Sequence, residues 1–174
     1  MVRGYASFRR TTRDGDQFVL GLATRGDLFG YSSFAARRAS VDLVAVTDTQ
    51  VALWSGDEFR RLVRADPGLA ADAIEGMAEY IVDITERLDF IHHTSRQRVL
   101  RALARYGDLF FGQPPVLSRG YLPLLVGTSR EMTGRVIRQL EREGMIARVG
   151  RNGLRLLSPA RLDDAVGSLA EEAS

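Results

Sequence analysis

The sequence predicts an α+β fold: a β unit, a long helix, and a C-terminal helical segment closed by a small hairpin. Three observations predict it. Residues 2–55 hold short runs of β-formers broken by turn signals. Residues 74–91 carry apolar side chains that step alternately by three and four. Residues 127–157 carry a capped amphipathic helix followed by two apolar runs flanking Arg151-Asn152-Gly153.

In chain order, Tyr5 to Arg10, Phe18 to Ala23 and Val41 to Trp54 read as antiparallel strands, separated by Asp14-Gly15, Arg25-Gly26 and Ala35-Ala36. Ser55, with Glu58 three residues on, reads as a capping box that opens a short helix over Phe59 to Ala65. Asp66-Pro67 starts a long helix. Its Ile74, Met77, Ile81, Ile84, Leu88 and Ile91 form a narrow a/d seam over about three heptads. A stripe that narrow suits helix–helix pairing, and with no second long seam in the chain the natural partner is another copy. The alternative is a helix laid over the β unit. Phe90 to Thr94 is a short joint, followed by a helix over Ser95 to Tyr106. The domains expected are 1–66, a β unit; 67–91, a dimerisation helix; 92–94, a hinge; and 95–174, a nucleic-acid-binding domain.

The segment after Gly127 carries the most chemical information. It reads as a tight turn at Gly127, an N-cap at Thr128 or Ser129, and a helix that stops at Gly144. Met132, Val136, Ile137 and Leu140 share its packing face, and Arg130, Glu131, Gly134, Arg135 and Arg138 fall elsewhere. Arg130 and Arg135 lie near the end that a recognition helix points at base edges, and arginine matches guanine O6 and N7. Met145 to Gly150 and Leu154 to Leu157 then read as a hairpin, with Asn152-Gly153 expected at positive φ. A helix-turn-helix followed by a basic two-stranded wing is a winged helix. Arg151 at the wing tip is expected on phosphates, while Arg148 and Arg155 serve there or as edge-strand charges. The helix before Gly127 contains Pro123, which fits only a first turn, so that helix is expected to be short or to start late.

Charge is distributed unevenly. Residues 1–90 carry 11 Arg and 14 acidic residues, a net of −3, whereas residues 91–174 carry 13 Arg and 8 acidic residues, a net of +5. The basic half holds the helix-turn-helix. There is no Lys, so arginine richness by itself is weak evidence for DNA contact. The absence of Cys excludes disulfides and thiolate metal sites. No apolar run spans a membrane and no signal peptide opens the chain, so a cytoplasmic protein is expected.

This order of parts resembles the cyclic-AMP receptor protein and FNR (CRP/FNR) family of bacterial transcription regulators. The resemblance runs from about Val2 to Leu157 and rests on Gly26-Asp27-Leu28-Phe29-Gly30, on Val51-Ala52-Leu53 with Phe59-Arg60-Arg61-Leu62, and on Val126 through Arg135 to Leu140. It implies a cupin-like β-roll of the cyclic-nucleotide-binding type, a homodimer, and double-stranded DNA carrying an inverted repeat of TGTGA-like half-sites. Arg130 and Arg135 are expected on guanines and Glu131 on a cytosine amino group. Thr128, Ser129, Arg138 and Arg151 are expected on the DNA backbone. The loop Phe110-Phe111-Gly112-Gln113-Pro114-Pro115 lies where family members contact RNA polymerase; Trp54, Phe110 and Phe111 are expected to be buried.

The chain departs from the family at Pro123, in the first helix of the motif, and in two further places. It lacks the roll's first strands, implying either a late start or a reduced roll. It also lacks the residues with which a cyclic nucleotide is held: Tyr31 takes the place of the ribose-binding Glu, Ala39-Ser40 that of the phosphate-binding Arg-Ser with Arg38 one residue off, and Asp83 and Ile84 those of two adenine-reading hydroxyls. Cyclic nucleotide binding is therefore not expected, and no other effector or cofactor is indicated. Arg37 and Arg38 offer an anion site at most. His92 and His93 read as hinge surface rather than metal ligands. No nucleophile–His–acid set, HExxH or phosphate loop is present, so no enzyme is expected. The competing reading is a winged-helix dimer that serves as a protein–protein adaptor.

Overall fold

Strand β1 (Ala6–Thr11) pairs antiparallel with β3 (Asp42–Ala45), with Ala6 opposite Ala45 and Arg9 opposite Asp42. Strand β2 (Gln17–Ala23) flanks β1 on its other side, giving the order β2-β1-β3. The computed structural model describes residues 1–31, 41–88 and 92–171. In β2 every second residue is buried, through Val19, Gly21 and Ala23, which is the period of a strand with one covered face. Phe8 meets Phe29 edge to face at 5.8 Å between ring centres.

The run Val41 to Trp54, expected as one strand, is a strand only at Asp42–Ala45. Beyond it the Val46 and Thr47 amides both donate to the Tyr5 carbonyl, at 2.8 and 3.3 Å, and threonine hydroxyls supplement this bulged pairing. Thr47 Oγ1 accepts from the Tyr5 amide at 3.0 Å, and Thr49 Oγ1 donates to the Tyr5 carbonyl at 3.0 Å and to the Thr47 carbonyl at 2.7 Å. Pairing resumes only as a bridge between Arg3 and Gln50. There Gly4, at φ 89°, brings its α-carbon against the Asp48 carbonyl, where a Cβ would stand 2.3 Å away. Trp54, expected in the core, is 52% exposed.

Helix α1 (Gly56–Ala65) starts three residues before the expected Phe59, because the Ser55 capping box forms immediately ahead of it. Ser55 Oγ accepts from the Glu58 amide at 3.2 Å, and the Glu58 carboxylate accepts from the Ser55 amide at 2.8 Å. Asp66 Oδ1 caps α2 (Pro67–Leu88) by accepting from Gly68 and Leu69 amides. The α2 seam residues Ile74, Met77, Ile81 and Ile84 are all exposed. The side chain of Leu88, and Ile91 altogether, lie outside the described residues, as do Arg37, Arg38, Ala39, Ser40, Phe90 and the side chain of Asp83.

The C-terminal part builds its own core. Helix α3 (Ser95–Arg105), capped by a Thr94–Gln97 box, buries Val99, Leu100, Ala102 and Leu103. Helix α4 (Gly107–Phe111) takes in Phe110 and Phe111, which were expected in a loop; Phe110 is fully buried. A 3-10 turn at Arg119–Tyr121 leads into α5 (Leu122–Val126), then α6 (Arg130–Arg142), the antiparallel pair β4 (Ile146–Val149) and β5 (Gly153–Leu156), and α7 (Pro159–Glu171). Helix α3 packs against α5, α6 and α7. By packing, the chain divides into two units, Met1–Gly15 with Leu20–Ile91 and Asp16–Val19 with His92–Ser174.

Candidate nucleic-acid interface

The turn between α5 and α6 is built from backbone requirements. Helix α5 is five residues long with Pro123 in its first turn, the short helix that proline allows. Gly127 follows at φ 59°, a left-handed conformation that reverses the chain. Arg98, reaching from α3, donates from Nη1 to the Val126 and Gly127 carbonyls at 3.0 and 3.2 Å. It satisfies the acceptors that the end of α5 leaves open and ties the turn to the core. Nothing in the sequence marks Arg98, because its partners are carbonyls distant in the chain.

Ser129 is the N-cap of α6, its Oγ accepting from the Met132 amide at 3.1 Å. Thr128 instead lies within 3.4 Å of the Ser95 hydroxyl. The buried face of α6 is Thr133, Val136, Ile137 and Leu140. Met132, expected to pack, is 38% exposed. At about 100° per residue, Thr133 falls at the centre of the buried arc and Met132 roughly a quarter-turn to its side. The buried Thr133 hydroxyl is satisfied by donating to the Ser129 carbonyl at 3.0 Å.

The opposite face carries Glu131, Arg135, Arg138 and Arg142 as one exposed stripe, with Arg130 beside it at the first turn. Arg135 pairs with Glu131 at 2.5 Å. Arg130 and Arg138 have no side-chain hydrogen bond or ion pair among the described residues. A cleft of ≈ 570 Å³ lies between Arg135, Arg138 and Arg142 on one side and Thr94, Ser95 and Arg96 at the start of α3 on the other. Arg96 is held by Glu143 at 2.6 Å, and Arg161 Nη1 donates to the Glu143 carbonyl at 2.7 Å, closing the last turn of α6.

The hairpin follows as expected, but its turn differs. Val149 pairs with Gly153, so Gly150, Arg151 and Asn152 form a three-residue loop, and Gly150 at φ 54° supplies the positive φ expected of Asn152 and Gly153. Gly153 is needed for a different reason, since a Cβ there would stand 2.9 Å from the Val149 carbonyl. The tip is anchored where the Arg119 amide donates to the Asn152 carbonyl at 2.8 Å. Arg151 and Arg155 are exposed, whereas Arg148 is engaged by Glu141 at 2.9 Å. Hydrogen bonding from the Arg148 amide, with the guanidinium adding to it, holds the Glu141 carboxyl below its ordinary range.

In the N-terminal unit, Tyr31 stands against α2 where its helix is bare: a Cβ on Gly76 would come within 2.7 Å of the phenol oxygen. That hydroxyl is buried with no hydrogen-bond partner among the described residues. Burial raises its pKa, and the Asp27 and Glu79 carboxylates raise it further. The described residues hold no group of three or more His, Asp or Glu placed to bind a metal, and none of their helices is long and apolar enough to cross a membrane.

Comparison with known proteins agrees with this geometry. Residues 1–66 match the cyclic nucleotide-binding domain model, and residues 97–165 match the Crp-like helix-turn-helix domain model. The chain is 29% identical over 172 residues to the cyclic AMP receptor protein of Thermus thermophilus, covering 98% of this chain and 79% of that one. It is 27% identical over 158 residues to the cAMP-activated global transcriptional regulator Vfr of Pseudomonas aeruginosa, covering 84% and 74%. Among solved structures, a CRP/FNR-family transcriptional regulator of Thermus thermophilus superposes with a TM-score of 0.80 at 21% identity, over 95% of this chain and 85% of that one. A mutant of CooA from Carboxydothermus hydrogenoformans does so with 0.77 at 17% identity, over 95% and 76%. With a cyclic-nucleotide-binding β-roll at one end and a Crp-like winged helix-turn-helix at the other, the chain belongs to the CRP/FNR family of transcriptional regulators.

Proposed function

We propose that this regulator acts as a homodimer on an inverted repeat, each copy reading a TGTGA-like half-site with α6. The observation that carries the reading is the exposed cluster Arg130, Glu131 and Arg135 on the first turns of a helix fixed by its cap, by the Gly127 turn and by Arg98. Arginines there suit guanine O6 and N7, and Glu131 suits a cytosine amino group. Thr128, Ser129 and Arg138, with Arg151 on the wing, contact the sugar-phosphate backbone. The exposed seam Ile74, Met77, Ile81 and Ile84, continued in sequence by Leu88 and Ile91, supports pairing of α2 with a second copy, and residues 92–94 act as the hinge. A two-fold pair sets the half-sites about one helical turn apart. The family resemblance implies contact with RNA polymerase through residues 110–115, where Phe110 is buried and gives that contact no exposed aromatic.

The DNA-bound state does not require cyclic AMP. The relatives include regulators named as cAMP-activated, but Tyr31 stands where the resemblance places the ribose acceptor, and its phenol is packed on Gly76. Selection of bound duplexes from a random pool tests the main reading. Two inverted half-sites about one turn apart are expected; recovery of unenriched sequence would refute it.

A further inference from the structure

The three wing arginines differ in what they are free to do. Arg151 and Arg155 are exposed, and their side chains have no hydrogen bond or ion pair among the described residues. Arg148 is held. Its Nε donates to Glu141 Oε2 at 2.9 Å, and its backbone amide donates to Glu141 Oε1 at 3.1 Å. Both carboxylate oxygens are thus used, one of them by main chain on β4. That distinguishes the contact from an ordinary surface pair, whose two long side chains drift apart at little cost. Glu141 itself lies on α6, one residue before its last, so the clasp joins the reading helix to the wing.

We propose that Glu141 is a specificity-determining residue: by clasping Arg148 it withholds one wing cation from DNA phosphates. The inference rests on the reading of this surface as a DNA-binding one. Phosphate contacts add affinity for any sequence, so each cation withheld lowers binding to random DNA without removing a base contact. Arg151 and Arg155 remain available to the backbone, and discrimination among sites falls more heavily on Arg130, Glu131 and Arg135.

The test compares the wild type with Glu141→Gln, Arg148→Ala and the double variant, titrated against random and selected duplexes at several salt concentrations. Glutamine keeps an oxygen for the Arg148 amide but drops the charge that holds the guanidinium. Glu141→Gln is expected to steepen the salt slope on random DNA by about one unit, to tighten random binding about threefold at low salt, and to lower the ratio of specific to random affinity. The extra slope should vanish in the double variant. Arg148→Ala alone should leave the wild-type slope unchanged. An unchanged slope in Glu141→Gln overturns the proposal. So does extra slope that persists in the double variant, which assigns the gain to lost carboxylate repulsion. A slope lost in Arg148→Ala alone also overturns it, because Arg148 would then already touch phosphate. Absence of salt-dependent binding by the wild type overturns this proposal together with the DNA-binding reading, and only that outcome implicates both.

Discussion

At Gly127 the chain turns with φ 59°, and among the described residues, its chain neighbours aside, the only group within 4 Å of a would-be Cβ is the Arg98 guanidinium, at 3.9 Å. Space is available, so the cost of a side chain there is conformational. Gly127→Ala should lose about 1–2 kcal/mol of unfolding free energy, and Gly127→Asn less, since Asn tolerates the left-handed region. Chemical denaturation checks this; an unchanged midpoint for Gly127→Ala would show that the turn relaxes elsewhere. The Glu131–Arg135 pair is mostly solvent-exposed, so opening it to meet bases costs little. Glu141, with its carboxyl pKa depressed, contributes stability that is present above its unfolded pKa and lost as pH falls through the lower folded value. The clasp therefore persists at neutral pH.

Among the elements, the long helix carries the clearest prediction. If α2 pairs with a second copy through Ile74, Met77, Ile81 and Ile84, then Ile81→Glu or Ile84→Glu places a carboxylate in the seam, where desolvating it is costly. Light scattering should then give the mass of the 19.3 kDa chain rather than twice that mass, and an unchanged dimer would contradict the seam assignment. Helices with side-chain caps were legible in the sequence because their signals are local, whereas α4 and α7 were not. Ser55 with Glu58, Pro67 after Asp66, and Ser129 each satisfy backbone groups within three residues. The β unit was less legible. The regular ladder of β3 gives way where Val46, Thr47 and Thr49 all bond to Tyr5, more than 40 residues away. The hairpin was recognised from Asn152-Gly153 although Gly150 makes the turn, because the two-residue and three-residue loops draw on the same glycine-rich composition. On α6, apolar character alone favoured Met132 over Thr133, and the backbone bond that lets Thr133 be buried left no mark in the sequence. Arg98 and Glu141, which fix the turn and the wing, were illegible for the same reason: their partners are set by tertiary placement.

For the whole molecule, the question is what biases the regulator toward DNA. Tyr31 packs its phenol against Gly76 of α2, and burial, with the Asp27 and Glu79 carboxylates adding to it, raises its pKa. Calorimetry with cyclic AMP should show no micromolar binding, and added cyclic AMP should leave DNA affinity unchanged; binding that raises DNA affinity would overturn independence of cyclic AMP. The central claim is that α6 reads bases while the wing holds phosphates, and one titration separates the two. Arg130→Ala, Arg135→Ala and Arg151→Ala are measured against selected, single-mismatch and random duplexes at several salt concentrations. Replacing Arg130 or Arg135 should cost about 1–3 kcal/mol on the selected site, far less on random DNA, and relax preference at one base pair. Replacing Arg151 should weaken all duplexes alike and reduce the salt slope by about one unit. Uniform loss from Arg130→Ala and Arg135→Ala, with base preference intact, would mean that this helix does not read sequence.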